Sequence, residues 1–205
     1  GHEAFGLALE NGSLVSRGVS AHASTPEEGK NALEPLLAFF AAQNAGVRRA
    51  HDVLFADVLG LKRFRDETGG LTMSPNVASF SDGVLRVITD IRYPATMKSE
   101  QIVALLGGAG VDYRLLHCQD PLFNDKNGEL IRTLLGVYEE ATGEKAEPLA
   151  IGGGTYARAL KNGAGFGPQF AGEPSTIHRA DEYITLENIK KLSRIYYTAI
   201  ERLTR

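Results

Sequence analysis

The stretch LTMSPNVASFSDGVLRVITDIRYP, residues 71–94, holds two runs of apolar and β-branched residues separated by Ser81, Asp82 and Gly83. Runs of this kind predict strands, and a short polar connection containing glycine predicts a hairpin turn. Pro94 ends the second run because proline has no N–H to donate to a strand ladder. The sequence therefore predicts an antiparallel hairpin with strands at 71–80 and 84–93.

The chain before and after this hairpin predicts an α+β arrangement. A first hairpin is expected at residues 5–21 around Asn11 and Gly12, followed by a helix capped by Asn31 and Glu34 and a second helix within 51–65. A helix from Ser99 to Leu106 and a strand at 111–117 complete the pattern. Antiparallel strands with helices on one face resemble a ferredoxin-like sandwich with an extra hairpin.

From about residue 125 the pattern changes to alternating helix and strand. Helices are predicted from Leu130 to a stop at Gly143, just after Gly154, and at 186–203, with strands near 148–151 and 164–170. Two strands make a poor α/β domain because a parallel sheet needs both faces covered and its edges paired. We therefore expect two domains, at 1–120 and 121–205, with the second an incomplete α/β segment.

Composition excludes several classes of function. The 205 residues include 22 Lys and Arg against 25 Asp and Glu. The net charge of -3 therefore shows no excess of basic residues for binding nucleic acid or an anionic membrane. No apolar run approaches the roughly 20 residues that span a bilayer. The single cysteine, Cys118, excludes an internal disulfide framework and favours a reducing, cytoplasmic compartment.

Three features suggest chemistry by residue type alone. His22 follows a strand in a turn rich in Ser, Thr, Gly and Pro, where sites concentrate. Arg92 stands at a strand end before a proline, where a surface arginine is the ordinary interpretation. The glycine-rich turn at 151–158 fits neither a P-loop nor a dinucleotide fingerprint, and a helix N-terminus without a ligand is the alternative.

Four segments together resemble the dinuclear zinc peptidases that include carnosinase, PepV-like dipeptidases, carboxypeptidase G and succinyl-diaminopimelate desuccinylase. They occur in the family's order and cover nearly the whole chain, from about Phe5 to Leu203. The segments are Gly18-Val19-Ser20-Ala21-His22, Arg92-Tyr93-Pro94, Gly152-Gly153-Gly154-Thr155-Tyr156-Ala157-Arg158 and Ile177-His178-Arg179-Ala180-Asp181-Glu182-Tyr183-Ile184. The resemblance implies that 1–120 is most of a lid domain and that 121–205 is the end of a catalytic domain.

The resemblance also implies roles for individual residues. His22 would polarise the scissile carbonyl and stabilise its oxyanion, Arg92 would bind the substrate carboxylate, and His178 would bind one of two zinc ions. The family often has a substrate-binding asparagine in the preceding hairpin; here Ser74 aligns with it and Asn76 follows two residues later. The glycine-rich segment would line the active site, through Gly153, Gly154, Thr155 and Arg158.

The first metal-binding half of the family pattern is not in this sequence. The resemblance thus implies the later part of a longer, zinc-dependent dipeptidase, inactive by itself, that associates with the missing N-terminal segment or forms a homodimer. A related N-acyl amino acid deacylase, such as a desuccinylase, shares the chemistry with another acyl group. A non-catalytic dimerisation or binding module is the alternative from a different class.

Overall fold

A computed structural model describes residues 1–174, 176 and 180–205 of the chain. It divides into two compact units. The first unit consists of Gly1–Pro121 with Ala150–Gly153, and the second of Leu122–Leu149 with Gly154–Arg205. The short segment Ala150–Gly153 therefore returns to the first unit from within the second.

Helices and short antiparallel sheets make up the described residues. The strands are β1 (Ala8–Glu10), β2 (Ser13–Val15), β3 (Arg65–Asp66), β4 (Gly69–Gly70), β5 (Thr72–Ser81) and β6 (Val84–Arg92). The helices are α1 (Leu33–Ala41), α2 (Ala45–Leu54), α3 (Ser99–Gly107), α4 (Glu129–Thr142) and α5 (Leu186–Leu203). In the part of the chain that the structure describes, none of these helices has the length and apolar character needed to cross a bilayer.

The hairpin predicted at residues 71–93 is confirmed as β5 and β6. The strands pair antiparallel from Thr72 opposite Arg92 to Ser81 opposite Val84. Asp82 and Gly83 connect them with φ angles of 53° and 77°, the left-handed conformation that a two-residue hairpin turn of this kind needs. A register shift between Pro75 and Val77 marks a bulge in β5.

Other local predictions are confirmed with changed boundaries. Asn11 and Gly12 turn the first hairpin with positive φ angles, but its strands are only three residues each. The second helix begins at Ala45, before the predicted start, because the Asn44 side chain accepts a hydrogen bond from Val47 N. It ends at Leu54, well before Arg65.

The predicted strands at 111–117, 148–151 and 164–170 are wrong, since the structure assigns no strand to these described residues. Alternating apolar residues form a strand only when a neighbouring strand accepts their backbone hydrogen bonds. Residues 111–117 are exposed instead. Within the described ranges, the strands form three separate two-stranded sheets, so the single sheet of a ferredoxin-like sandwich is not confirmed.

The core of the first unit lies beside the β5–β6 hairpin. Leu61, Leu71, Met97 and Ile102 form a buried apolar cluster there. These residues come from the loop after α2, the start of the hairpin, the segment after β6 and α3, so burying them fixes the end of β6. The hairpin base that carries Arg92 is therefore attached to a packed core.

Asp66 ties the β3–β4 turn to the segment after β6. Its Oδ1 accepts hydrogen bonds from Thr68 N at 2.7 Å and Thr68 Oγ1 at 2.6 Å, and its Oδ2 accepts one from Thr96 N at 2.9 Å. Burial raises the pKa of Asp66, but the hydrogen bonds lower it by more, to about 2. The ionised carboxylate of Asp66 thus links the β3–β4 turn to Thr96, thirty positions later in the chain.

Replacing Asp66 by asparagine is expected to lower the free energy of unfolding at neutral pH by about 1–2 kcal/mol, less than the full shift implies because the carboxylate is only half-buried. An unfolded aspartate has a pKa of about 3.9. Because the folded pKa is depressed, the stabilisation is complete above about pH 4 and is lost as the pH falls to about 2. Denaturant unfolding across this range measures it.

The control for this experiment is Asp112→Asn, which removes an exposed carboxylate. It should leave the free energy of unfolding nearly unchanged at every pH. A difference between wild type and Asp66→Asn that stays constant down to about pH 2 would contradict the role of the Asp66 charge.

The second unit is built on the packing of α4 against α5. Leu134, Val137, Ile195 and Ala199 form its buried cluster, and Val137 is only 1% exposed. Gly143 ends α4 in the left-handed conformation, with φ 76°, as the sequence predicts. Tyr196 on α5 donates a hydrogen bond to Phe166 O at 3.0 Å, which holds the connecting segment against the helix pair.

Candidate active site

The His22 loop, residues 20–29, is closed by a pair of backbone hydrogen bonds at its base. Val19 and Lys30 exchange N–H···O bonds of 2.9 Å in both directions. A Cβ on Gly18 would lie 2.4 Å from Lys30 O, and one on Gly29 would lie 2.5 Å from Val19 O. Glycine at both positions therefore permits the close backbone approach that closes the loop.

His22 is exposed at the start of this loop, and Ser24 contacts its ring. The ring Nδ1 lies 2.7 Å from Ser24 Oγ, and Ser24 N donates to the same nitrogen at 3.2 Å. Thr72 Oγ1 donates to Ala23 O at 3.0 Å, which attaches the loop to the first residue of β5. Because Thr72 pairs with Arg92, the His22 loop lies at the base of the hairpin that carries Arg92.

Arg92 is held by an ion pair with Asp90, two residues earlier in β6. Arg92 Nε donates to Asp90 Oδ1 at 2.6 Å and Nη2 donates to Asp90 Oδ2 at 2.8 Å. Both side chains are 31% exposed, so the pair lies at the edge of solvent. A bidentate pair of this kind fixes the plane of the guanidinium.

Gly152 connects the Arg92 side to the His22 side. Arg92 Nη1 donates to Gly152 O at 3.0 Å. A Cβ on Gly152 would lie 2.0 Å from Ser24 Cβ and 2.5 Å from Ser24 Oγ, so only glycine fits against the serine. The structure thus brings His22 and Arg92, which are far apart in sequence, to the same glycine within the first unit.

Tyr93 and Asp120 fix the backbone that follows Arg92. Tyr93 donates from its hydroxyl to Asp120 Oδ1 at 3.0 Å, and Ser99 N donates to the same oxygen at 3.0 Å. Burial and the hydrogen bond to Asp120 raise the pKa of Tyr93. The hydrogen bond from Ser99 N is the main cause that lowers the pKa of Asp120, so the acceptor stays ionised at neutral pH.

Asn76 stands at the bulge of β5. It is exposed and has no register partner in the β5–β6 pairing of the described residues. Ser74, which is only 9% exposed, donates from its hydroxyl to Asn76 Oδ1 at 3.0 Å. Bulges commonly re-aim a side chain next to active sites, which is compatible with the predicted substrate contact.

The glycine-rich segment is divided between the two units. Gly153 belongs to the first unit, whereas Gly154, Thr155 and Arg158 belong to the second. There Thr155 Oγ1 accepts a hydrogen bond from Ala157 N at 3.3 Å and caps a short 3₁₀ helix, Tyr156–Ala159. A Cβ on Gly154 would lie 3.0 Å from Arg158 Nη1, so the arginine folds back over the glycine.

His178, the predicted zinc ligand, lies outside the described residues. A catalytic zinc site needs about three protein ligands. Among the residues that the structure does describe, no group of three His, Cys, Asp or Glu side chains lies close enough to hold a metal ion. The described side chains therefore do not form a metal centre by themselves.

Sequence reasoning missed Ser24, Asp90 and Gly152 as parts of this site. Asp90 could have been found, because residues two apart in a strand lie on the same face. Ser24 could also have been found as a polar neighbour of His22. Gly152 could not be singled out from its neighbours, because its function depends on Ser24 and Arg92, which reach it only through the tertiary fold.

Comparisons with known proteins identify the family of this chain. The model of "Peptidase family M20/M25/M40" matches residues 3–202. Bacillus subtilis "Putative dipeptidase YtjP" is 36% identical over 97% of this chain and 46% of its own length. "Beta-Ala-Xaa dipeptidase" of Lactobacillus delbrueckii is 30% identical over 98% of this chain and 46% of its own length.

The chain spans less than half the length of these two relatives. Peptidases of the matched family are generally metal-dependent. The match covers nearly every residue, including both segments that meet at Gly152. This chain belongs to peptidase family M20/M25/M40 and is similar to its dipeptidases.

Proposed function

We propose that this chain is the substrate-recognising part of a metal-dependent dipeptidase. The single observation that carries the proposal is the meeting of Arg92 and the His22 loop at Gly152. A cationic fork and an imidazole donor that lie on either side of the same glycine suit a short peptide, which has a carboxylate at one end and a scissile amide near it. The names of the similar dipeptidases support the same substrate class.

His22 is proposed as the group that stabilises the oxyanion formed during amide hydrolysis. Its ring is exposed, so it is accessible to a substrate, and its Nδ1 side is already engaged by Ser24. The other ring nitrogen is the one available to a ligand. A preorganised donor aimed at developing negative charge is worth more in a water-excluded cleft than in open solvent.

Arg92 is proposed to bind the free carboxylate of the substrate. A guanidinium has five N–H groups. The hydrogen bonds within the described residues use one on Nε, one on Nη2 and one on Nη1. One N–H on each terminal nitrogen therefore remains for a ligand, and Asp90 keeps the fork in a fixed orientation.

The family resemblance also assigns substrate-binding roles to further residues, in each of the two units separately. Gly153 and Gly154 would let the peptide backbone approach closely, because glycine has no Cβ, but at Gly154 the Arg158 side chain would first have to turn away. Thr155 and Arg158 would offer polar groups at the same segment, and Asn76 would contact the substrate from the bulge of β5. These assignments follow from the family resemblance.

The proposed metal is zinc, with two ions in the complete enzyme. His178 is proposed as one ligand, because imidazole suits zinc and its sequence context matches the family's ligand segment. The other ligands would come from a further segment of the protein. In this proposal, residues 1–120 form a ferredoxin-like lid that can also dimerise, residues 121–205 complete the catalytic domain, and the enzyme is cytoplasmic.

The 205-residue chain alone is expected to hydrolyse no dipeptide, even with added zinc or manganese, because a catalytic metal needs about three protein ligands. Co-expression with a segment that carries the remaining ligands should restore bound metal and hydrolysis. Metal analysis and a dipeptide assay measure the two effects. His178→Ala in the same pair is the matched control and should reduce the bound metal. Robust hydrolysis by the chain alone would contradict the proposed division of ligands.

A further inference from the structure

Ser24 makes two contacts to one nitrogen of the His22 ring. Its hydroxyl oxygen lies 2.7 Å from His22 Nδ1, and its backbone N–H donates to the same atom at 3.2 Å. A backbone N–H can only donate, so Nδ1 acts as an acceptor and carries no proton. The hydroxyl must then donate as well, because its oxygen would otherwise face a nitrogen lone pair at hydrogen-bond distance.

A neutral imidazole has one protonated nitrogen. Since Nδ1 is the acceptor of both Ser24 groups, the proton lies on Nε2, on the opposite side of the ring. This tautomer offers an N–H donor to a ligand, whereas the other tautomer would offer a lone pair. Which nitrogen carries the proton is commonly set by the hydrogen bond that the other nitrogen makes.

Ser24 is itself held in place from the other side. Gly152 packs so closely against it that any Cβ would lie 2.0 Å from Ser24 Cβ. Gly152 is in turn fixed by the hydrogen bond from Arg92 Nη1 to its carbonyl oxygen. A continuous series of contacts therefore runs from the Asp90–Arg92 pair through Gly152 and Ser24 to the His22 ring.

We propose that Ser24 is a positioning residue that fixes His22 as the tautomer protonated on Nε2, with Gly152 holding the serine against the ring. Through this contact the ring is prepared to donate to an oxyanion before substrate arrives, which lowers the reorganisation needed during the reaction. The inference rests on the proposed function for its catalytic consequence, but the tautomer itself is independent of any activity.

The direct test is nitrogen NMR of the 205-residue chain labelled with 15N-histidine, recorded at about pH 9, where an ordinary histidine is neutral. His22→Gln identifies the His22 signals among the five histidines. In wild type, Nδ1 should give the signal of an unprotonated nitrogen and Nε2 that of a protonated one. A protonated Nδ1 would overturn the proposal.

Two variants test the contribution of Ser24. Ser24→Ala should move the Nδ1 and Nε2 signals partway toward each other, because the hydroxyl donor is lost while the backbone N–H of residue 24 still donates to Nδ1. Gly152→Ala should shift them in the same direction by displacing Ser24. Ser13→Ala, at an exposed serine of β2, is the control and should change neither signal. Signals in Ser24→Ala that match those of wild type would overturn the role of Ser24.

A kinetic measurement connects the tautomer to function. In the full-length protein, Ser24→Ala is expected to lower kcat on a dipeptide about three- to tenfold with little change in KM, as befits the loss of one neutral hydrogen bond. An unchanged kcat would contradict the proposed contribution of Ser24 to catalysis. If the full-length protein hydrolysed no dipeptide at all, the proposed function would fail, while the NMR result would still decide whether Ser24 sets the tautomer.

Discussion

In the complete dipeptidase proposed above, replacing His22 by alanine is expected to lower kcat for dipeptides by about 10²- to 10³-fold, the effect of removing one oxyanion donor. KM should change little, because the donor acts on the charge of the transition state. Bound metal should stay at the wild-type level, since among the described residues the ring contacts Ser24. Steady-state kinetics and metal analysis of the same preparation measure both quantities.

The matched control is His117→Ala, which removes an exposed histidine from the segment after α3. Its kcat and metal content should equal those of wild type. If His22→Ala instead loses a metal ion, His22 is a ligand and its assignment as an oxyanion donor is wrong. A kcat within about twofold of wild type would also contradict the assignment, since that is far below the loss expected for such a donor.

Replacing Arg92 by lysine is expected to lower kcat/KM for free-acid dipeptides by about 10- to 100-fold, the range for losing a hydrogen bond between charged groups. The corresponding dipeptide amides should lose much less, because they have no carboxylate to bind. Lysine keeps the charge but lacks the planar fork that pairs with Asp90 while donating to Gly152 O. The ratio of the two substrates is the measured quantity.

Arg86→Lys is the control for this experiment, because Arg86 lies in the same strand and its Nη1 donates to Ser81 Oγ near the hairpin turn. It should leave both substrates unaffected. Equal losses for free acids and amides in Arg92→Lys would show that the arginine acts by holding Gly152 and has no contact with the substrate carboxylate. A panel of N-acyl amino acids added to the same assay would detect a deacylase, the alternative with shared chemistry.

Local sequence predicts His22 and Arg92 themselves better than it predicts the contacts that hold them. His22 and Arg92 were identified by their neighbours in sequence, since the Gly-x-Ser-x-His and Arg-Tyr-Pro segments stand in the family's order. The contacts that hold the Arg92 side chain are of two kinds, local and long-range. The Asp90–Arg92 pair is local, because alternate strand residues share a face, whereas the tie from Arg92 to Gly152 joins positions sixty residues apart.

The wrong strand predictions have one physical cause. Residues 111–117 have the alternation of a strand, and residues 148–151 have its apolar content, yet a strand exists only when another chain segment pairs with its N–H and C=O groups. The β5–β6 hairpin was predictable because both partners and their turn lie within twenty-one residues, from Thr72 to Arg92. Residues 150–153 join the first unit by contacts that no periodicity encodes.

The sequence by itself determined the hairpins that turn at Asn11-Gly12 and Asp82-Gly83, the end of α4 at Gly143 and the motifs that mark the family, whereas the predicted caps Asn31 and Ser99 are not the N-cap residues of α1 and α3. Each depends on residues within one or two turns of each other, where backbone conformation and side-chain pattern act directly. Only the tertiary structure decided that Gly152 lies against Ser24 and accepts a hydrogen bond from Arg92. The physical reason is separation along the chain, because a hydrogen bond between distant segments needs apolar packing to hold those segments together, and local sequence patterns do not encode that packing.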